Sequence, residues 1–598
     1  MTPLLLSAVL LLVPQETAPE ASQTKQIRPI ARATQSPRID GLLDDDIWKT
    51  AVRIPLDYEW NPGDNIKAPV ETTSYVAFDE GHIYVAFDAR DPEPGRIRAH
   101  LDDRDRPFLD DTVGFFLDTF NDGRRGVQFR INPLGVQMDA SNSDVDGSED
   151  WSWDAIWESR ARITESGYLV EVAIPFSSLR FPRSSEPQTW GFMTMRDWPR
   201  SVRHRMRSQY FDNKRECLIC QFDKLTGLEG MEPGRNIEIT PTVTGLRTDR
   251  RPDFPGGPWA NGDANGDVGV SVRWSVTPNV ALNAAVNPDF SQVEADVAQL
   301  DVNNSFALFF PEKRPFFLEG ADIFSTPFSL VFSRTVADPT WGAKATGKEG
   351  RSAFGAFAAR DKITNILIPG YEGSDEDTLS VRSTEAVARY RADLGEGSSI
   401  GAVATLRNGG DYRNNLAGVD GDIRLGKSDR LRFQVVASDT HYPDTFARNH
   451  DQTVGSFGGS AMLLRYYRQT RKWFWEARGE QISSGFRADS GFLTQVGKRT
   501  ARGGAYRSVF SDGKKTWFSS LGFGAFGDHT VSSEGGKPAG GFDFLFDYAG
   551  PKQLQFGYDA SPSWDYYAGR TYANMRHNFG ASIRPSGTLT LAVGGGFG

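Results

Sequence analysis

Trp151, Trp153 and Trp157 fall within one seven-residue stretch, directly after the acidic run 143–150. Indole faces stack on the C–H faces of sugar rings, so such a cluster can act as a glycan platform. The same period-two spacing would place all three on one face of a strand, where the plainer reading is core or interdomain packing. The acidic run offers oxygen ligands for a structural calcium, but it lacks the EF-hand spacing, and a solvated loop is the plainer reading. Cys217 and Cys220 form a C-x-x-C with no second pair and no nearby histidine cluster, which excludes a zinc site. The pair reads either as a redox couple or as a small loop disulfide or two thiols. Without a thioredoxin-like βαβ pattern around it, the second reading is favoured. Hydrolysis of a glycosidic bond needs two carboxylates roughly 5–9.5 Å apart. Acidic residues are plentiful, yet no spacing singles out such a pair. There is no G-x-S-x-G and no H-E-x-x-H, and His82, His100, His204, His441, His450, His529 and His577 are scattered.

The elements that must position these groups follow from length and pattern. A chain of 598 residues is too long for one ordinary domain. Its mean hydropathy is -0.45, and past the N-terminus no stretch approaches the ~20 apolar residues of a membrane helix. A transmembrane β-barrel stays open, because its strands alternate outward apolar with inward polar residues. The net charge of -10 argues against a nucleic-acid partner. Leu4 to Val13 is an apolar run closed by Pro14, too short to span a bilayer. It reads as the core of a signal peptide at 1–22, although no Lys or Arg precedes it. A Gln- and Thr-rich linker, 23–37, follows.

From 38 to 232 the chain shows short alternating strands. Thr73–Phe78 and His82–Phe87 flank Asp79-Glu80-Gly81, a hairpin with glycine where a positive φ is wanted. Thr112–Leu117 and Gly126–Ile131 flank the turn Asn121-Asp122-Gly123, and Tyr168–Ile174 ends at Pro175. This spacing predicts an all-β sandwich. Ile39-Asp40-Gly41 through Asp44 and Trp48, the Asp111-Thr112-Val113 strand ending at Asp118, and Gly167-Tyr168…Glu171-Val172-Ala173-Ile174-Pro175-Phe176 together resemble family 9 carbohydrate-binding modules. The resemblance implies a sugar gripped by aromatic faces and by a planar guanidinium that binds vicinal hydroxyls. By position, Phe108 matches the clamp aromatic and Arg130 the hydroxyl-binding arginine, with Trp151 and Trp153 as stacking candidates. The family often has tryptophan where Phe108 stands, and Gly114 occupies a place where an acidic residue would help.

From 233 to 598 the alternation becomes long and regular. Val268, Val270, Val272, Trp274 and Val276 oppose Gly269, Ser271, Arg273, Ser275 and Thr277, and Phe542, Phe544, Phe546 and Tyr548 repeat the pattern. Short turns at 277–279, 347–350, 395–398, 426–429, 469–472, 511–514, 549–552 and 585–587 alternate with long polar stretches such as 361–380 and 484–499. This predicts an outer-membrane barrel of roughly seventeen strands, short turns inside and long loops outside. The odd count, and an end at Gly594–Gly598, are read as a barrel incomplete at its C-terminus. Within it, 288–338 combines dense aromatics with compensating charges, and Ser291 with Glu294 forms a capping box for a short helix. Such a segment suits the barrel lumen better than lipid.

Asn287-Pro288-Asp289-Phe290…Glu294-Ala295-Asp296…Phe309-Phe310-Pro311-Glu312-Lys313-Arg314-Pro315-Phe316-Phe317-Leu318-Glu319-Gly320 resembles a bacterial family known as domain of unknown function 5916. There a family 9-like module precedes a membrane barrel. The resemblance implies a cell outer-membrane protein, and an N-terminal domain in the periplasm feeds the first strand outward, which puts the short turns inside. Three functions stay open: glycan or polysaccharide binding, hydrolysis of O-glycosyl bonds, and a structural or secretion-related barrel whose sandwich holds a periplasmic protein or peptidoglycan.

Overall fold

The computed structural model describes residues 25–598 except 145–146, 152, 183, 216, 232–236, 253–255, 278, 289–298, 300–304, 396, 512–516 and 534–537. The signal-peptide reading of 1–22 and the Ser291–Glu294 capping box lie outside the described residues. The architecture is nearly all β, and it falls into a two-sheet N-terminal unit and one large separate sheet.

The N-terminal unit packs a ten-stranded sheet against a five-stranded one. In the larger sheet, Gln137–Ser143, Arg125–Ile131, Thr112–Asp118, Gln188–Pro199, Arg203–Arg207 and Tyr58–Asn61 lie side by side. Alternation assigns the faces. Val113, Phe115, Leu117, Phe129, Ile131 and Phe192 enter the shared core with Val76, Phe87, Val170 and Trp190. Gly114, Arg130, Met195 and Asp197 therefore point the other way. Two turns show how the chain reverses. At Asn121-Asp122-Gly123 the φ of Gly123 is +66°, and the Asp118 carboxylate accepts its N–H at 2.8 Å. At Asp79-Glu80-Gly81 the expectation fails. Gly81 has no positive φ, and the Asp79 carboxylate closes the turn instead, accepting the Gly81 and His82 amides at 2.8 Å each.

The large sheet is a 17-stranded antiparallel meander from Ile237–Arg247 to Leu591–Phe597. Among the described residues these two strands each pair on one side, with no hydrogen-bonded seam between them. Its two faces differ sharply: Leu463 is 5% exposed and its neighbour Leu464 is 54%. The covered face packs against 309–336 and 484–496. Phe328, Leu330, Phe486 and Ala488 meet Val403, Leu416, Val436 and Leu463, while Phe317, Phe324 and Val336 meet Phe357 and Val387. The polar stretch 361–380, expected to be loop, contains a separate hairpin, Thr364–Pro369 with Ser374–Leu379. Its Ile366, Ile368 and Leu379 cover Tyr412, Tyr442 and Phe446.

The N-terminal unit rests on the short turns of the large sheet. Arg124 pairs with Asp393, and Asp122 pairs with Lys348. Arg471 reaches Asp64 at 2.8 Å, Arg430 donates to the Asp144 carbonyl at 3.0 Å, and Gln553 donates to the Arg200 carbonyl at 3.0 Å. Two more pairs, Arg180 with Glu319 and Arg125 with Asp322 at 2.8 Å, reach the segment that covers the sheet.

Candidate functional site

Arg130 leaves the Arg125–Ile131 strand on the face turned away from the core. Its Nε and Nη2 donate to Gln128 Oε1 at 3.0 and 2.8 Å. The guanidinium carbon lies 5.5 Å from the centre of the Trp151 ring. Phe108 meets the same indole edge-on, with centroids 4.7 Å apart. A partly buried cation on an aromatic face contributes about 1 kcal/mol and fixes both side chains. Phe108, Trp151 and Arg130 are each half-buried. Gly114 lies beside Arg130, where a Cβ would come within 2.9 Å of its Cγ and 2.6 Å of the Phe129 carbonyl. A side chain at 114 would displace Arg130, so the absence of an acidic group there is enforced by packing.

The tryptophan cluster is split rather than aligned. A strand ends at Asp150, and the next begins at Glu158, so the three indoles do not share one strand face. Trp151 stays on the Arg130 face. Trp153 and Trp157 meet Phe129, an inward residue, at centroid distances of 5.9 and 5.3 Å. Trp157 belongs to the core and Trp153 packs against it. Period-two spacing over 151–157 is therefore corrected: the chain wraps the sheet edge there, and only Trp151 joins Phe108 and Arg130.

The acidic run 143–150 turns inward at its first carboxylate. The Asp144 carboxylate accepts the Leu218 and Ile219 amides at 3.1 and 2.7 Å, tying it to the Cys217–Cys220 loop, whose cysteines are disulfide-bonded. Carboxylates gather elsewhere: Asp105, Asp139 and Asp154 place ligand oxygens within 4.8 Å of one another. The Arg104 guanidinium sits among them, paired with Asp139, with Asp154 at 3.1 Å and with Asp105 at 3.8 Å. The cluster thus carries its own cation. Desolvation pushes the Asp105 carboxyl up to about 6, with the Asp139 charge adding to it. An acid raised on folding stabilises the protein at low pH and loses that contribution as pH rises from about 4 to about 6. Asp105→Asn is therefore expected to raise stability at pH 7.5 by about 1 kcal/mol, discounted for partial exposure, and to change nothing near pH 4. Thermal melts of the two proteins at both pH values test this; a difference independent of pH refutes it.

Sequence reasoning missed the partner of the Ile39-Asp40-Gly41…Trp48 signature. Glu171, fully buried, accepts the Asp40 and Gly41 amides at 2.9 and 2.8 Å and the Trp48 Nε1–H at 2.7 Å. Two of the three segments that carry the resemblance are thus one hydrogen-bonded unit. The signal was an acidic residue between Val170 and Val172, which enter the shared core, on the opposite face, where Ala173 packs against Ile47 and Trp48.

Comparison with known proteins agrees with this architecture. Residues 39–206 match the model of the carbohydrate family 9 binding domain-like family. Residues 258–358 match that of a domain of unknown function, DUF5916. Over 149 residues the chain is 27% identical to endo-1,4-beta-xylanase C of Paenibacillus barcinonensis, covering 25% of this chain and 12% of that protein. It is 28% identical over 149 residues to endo-1,4-beta-xylanase A of Thermoanaerobacterium saccharolyticum, covering 24% and 11%. The chain therefore spans about an eighth of the length of these relatives. A putative carbohydrate-binding protein from Bacteroides uniformis is similar over 34% of this chain and 99% of its own, at 16% identity and TM-score 0.28. OccK11 (OpdR) of Pseudomonas aeruginosa is similar over 81% and 94%, at 10% identity and TM-score 0.31. At such scores neither structure carries a functional argument. Along the chain, 39–206 is thus similar to a carbohydrate family 9 binding-like domain and 258–358, after it, to a domain of unknown function 5916.

Proposed function

We propose that this chain is an outer-membrane β-protein whose N-terminal domain, 38–232, lies in the periplasm and binds glycan. The observation that carries the reading is the Phe108–Trp151–Arg130 group on the face of the larger sheet turned away from the shared core. Sugar C–H faces stack on Trp151 and Phe108, while the Arg130 fork donates to vicinal hydroxyls. The similarity of this domain to part of two xylanases supports the same ligand class.

Residues 233–598 supply the membrane part, with 305–338 folded within it. Exposed apolar residues on alternate positions, among them Val268, Val435, Leu464, Phe544 and Val593, give the sheet a lipid-compatible face. Strands such as Asp429–Tyr442, with 14 residues, exceed the ~10 a tilted membrane strand needs. Among the described residues no helix is long and apolar enough to cross a membrane.

Titration of the intact protein in detergent with a panel of oligosaccharides, read by tryptophan fluorescence, tests the reading. One sugar class is expected to give a saturable change. Arg130→Ala and Trp151→Ala should each weaken it about 10- to 100-fold, the loss of one charged hydrogen-bond group or one stacking face. A flat response to every sugar sinks the reading.

A further inference from the structure

The face that carries Arg130 continues across three more strands. Arg130 is in register with Gly114, Gly114 with Met195, and Met195 with Arg207. One register step along, Asp197 lies opposite Arg205, and Arg203 opposite Pro199. Four guanidiniums thus share this surface over about 14 Å, three strand spacings. Between Arg130 and Arg207 the floor is Gly114, which has no side chain, and the buried Met195. At the far side Trp60 mirrors Trp151: the Arg207 guanidinium lies 3.8 Å and that of Arg205 5.5 Å from its ring centre.

The acids do not balance these cations. Asp197 is fully buried and is shared by Arg203 and Arg205. Glu149 is a second carboxylate whose charge reaches Arg130. Arg130 spends two donors on a neutral amide oxygen. Arg207 forms no ion pair among the described residues, and its Nη1 and the Trp60 Nε1 have no hydrogen-bond partner. Leaving a buried guanidinium donor unmade costs about 1–3 kcal/mol, a cost that an anionic ligand removes. The group opens to solvent at Arg205, whose side chain is 35% exposed, while Arg207 is buried beneath it.

We propose that the glycan taken by this face is acidic, a uronate-bearing chain with one carboxylate held between Arg130 and the Arg205–Arg207 pair, above Gly114 and Met195. Neighbouring sugar rings stack on Trp151 and Trp60. The planar fork of arginine matches a carboxylate in two parallel hydrogen bonds, which a neutral hydroxyl pair accepts more weakly. The inference rests on the glycan-binding reading above and adds the charge of the ligand.

The experiment is calorimetric titration of the intact protein in non-ionic detergent with an oligogalacturonate and with its full methyl ester, which removes the charge and keeps the sugar. The free acid is expected to bind at least about tenfold tighter, with the ratio shrinking as salt is raised. Arg205→Gln, at a partly exposed site, should bring the ratio toward one, as should Arg207→Gln. Equal affinities for acid and ester overturn the inference and leave glycan binding standing. So does silence from both oligomers when a neutral sugar of the earlier panel binds. If no sugar of any kind binds, the glycan reading falls and this inference with it.

Discussion

Glu171→Ala is expected to destabilise the N-terminal domain by about 3–5 kcal/mol. The substitution strands three donors, the part-buried Asp40 amide and the buried Gly41 amide and Trp48 indole N–H. Each loss alone would be modest; together they undo the attachment of the 38–51 segment to the Gly167–Pro175 strand. Glu171→Gln keeps one acceptor oxygen and should cost less than half as much. Hydrogen exchange of the Asp40 and Gly41 amides in the intact protein gives the readout. Protection should fall by two or more orders of magnitude in the alanine variant, since every 1.4 kcal/mol is tenfold. Unchanged protection would mean that water or another group replaces the carboxylate.

Arg314→Ala is the second large effect, placed in the segment that covers the large sheet. Arg314 holds Glu312 in a two-pronged ion pair, Nε to Oε1 at 2.8 Å and Nη2 to Oε2 at 2.6 Å. It also donates to the Val336 and Ser333 carbonyls at 2.6 and 2.7 Å and lies 4.4 Å over the Phe317 ring. One buried side chain thus joins both ends of the 312–336 segment. Its removal leaves a largely buried Glu312 without its cation, at a cost of about 3–5 kcal/mol. Arg314→Lys keeps the charge but loses the fork, and should fall between. The expected result is protease cleavage within 309–336 in the alanine variant, with the strands still resistant. Resistance equal to that of the parent protein would show that the apolar contacts of Phe317 and Phe324 suffice.

Legibility in the sequence follows interaction range. The strands of the large sheet were readable because each satisfies a period-two rule locally, and their short turns carry glycine and proline. The sandwich strands were readable for the same reason. Gly81 misled because a carboxylate two residues earlier, Asp79, does the work a positive φ would have done. The tryptophan cluster misled because alternation was carried past the end of a strand at Asp150. Arg130 and Phe108 could be named from a motif, whereas Arg205, Arg207 and Trp60 could not. Their relation to Arg130 is set by strand order, with Thr112–Asp118 and Gln188–Pro199 lying between. Nothing local in 58–61 or 203–207 announces that neighbourhood.

The seating of the N-terminal unit on the short turns has a consequence for how the chain assembles. Its contacts join residues 226, 269, 286 and 409 positions apart in sequence. Such separations make docking a late event, since loop-closure entropy must be overcome before any of these pairs contributes. Lys348, Asp393, Arg430 and Arg471 sit at successive reversals of the meander, so all of them come into place only when the strands between them are in register. A sheet slipped by two residues would offer some of these charges and misplace the rest. Docking of the first-made domain therefore discriminates a correctly built sheet from a misbuilt one, and works as a proofreading step at the end of folding.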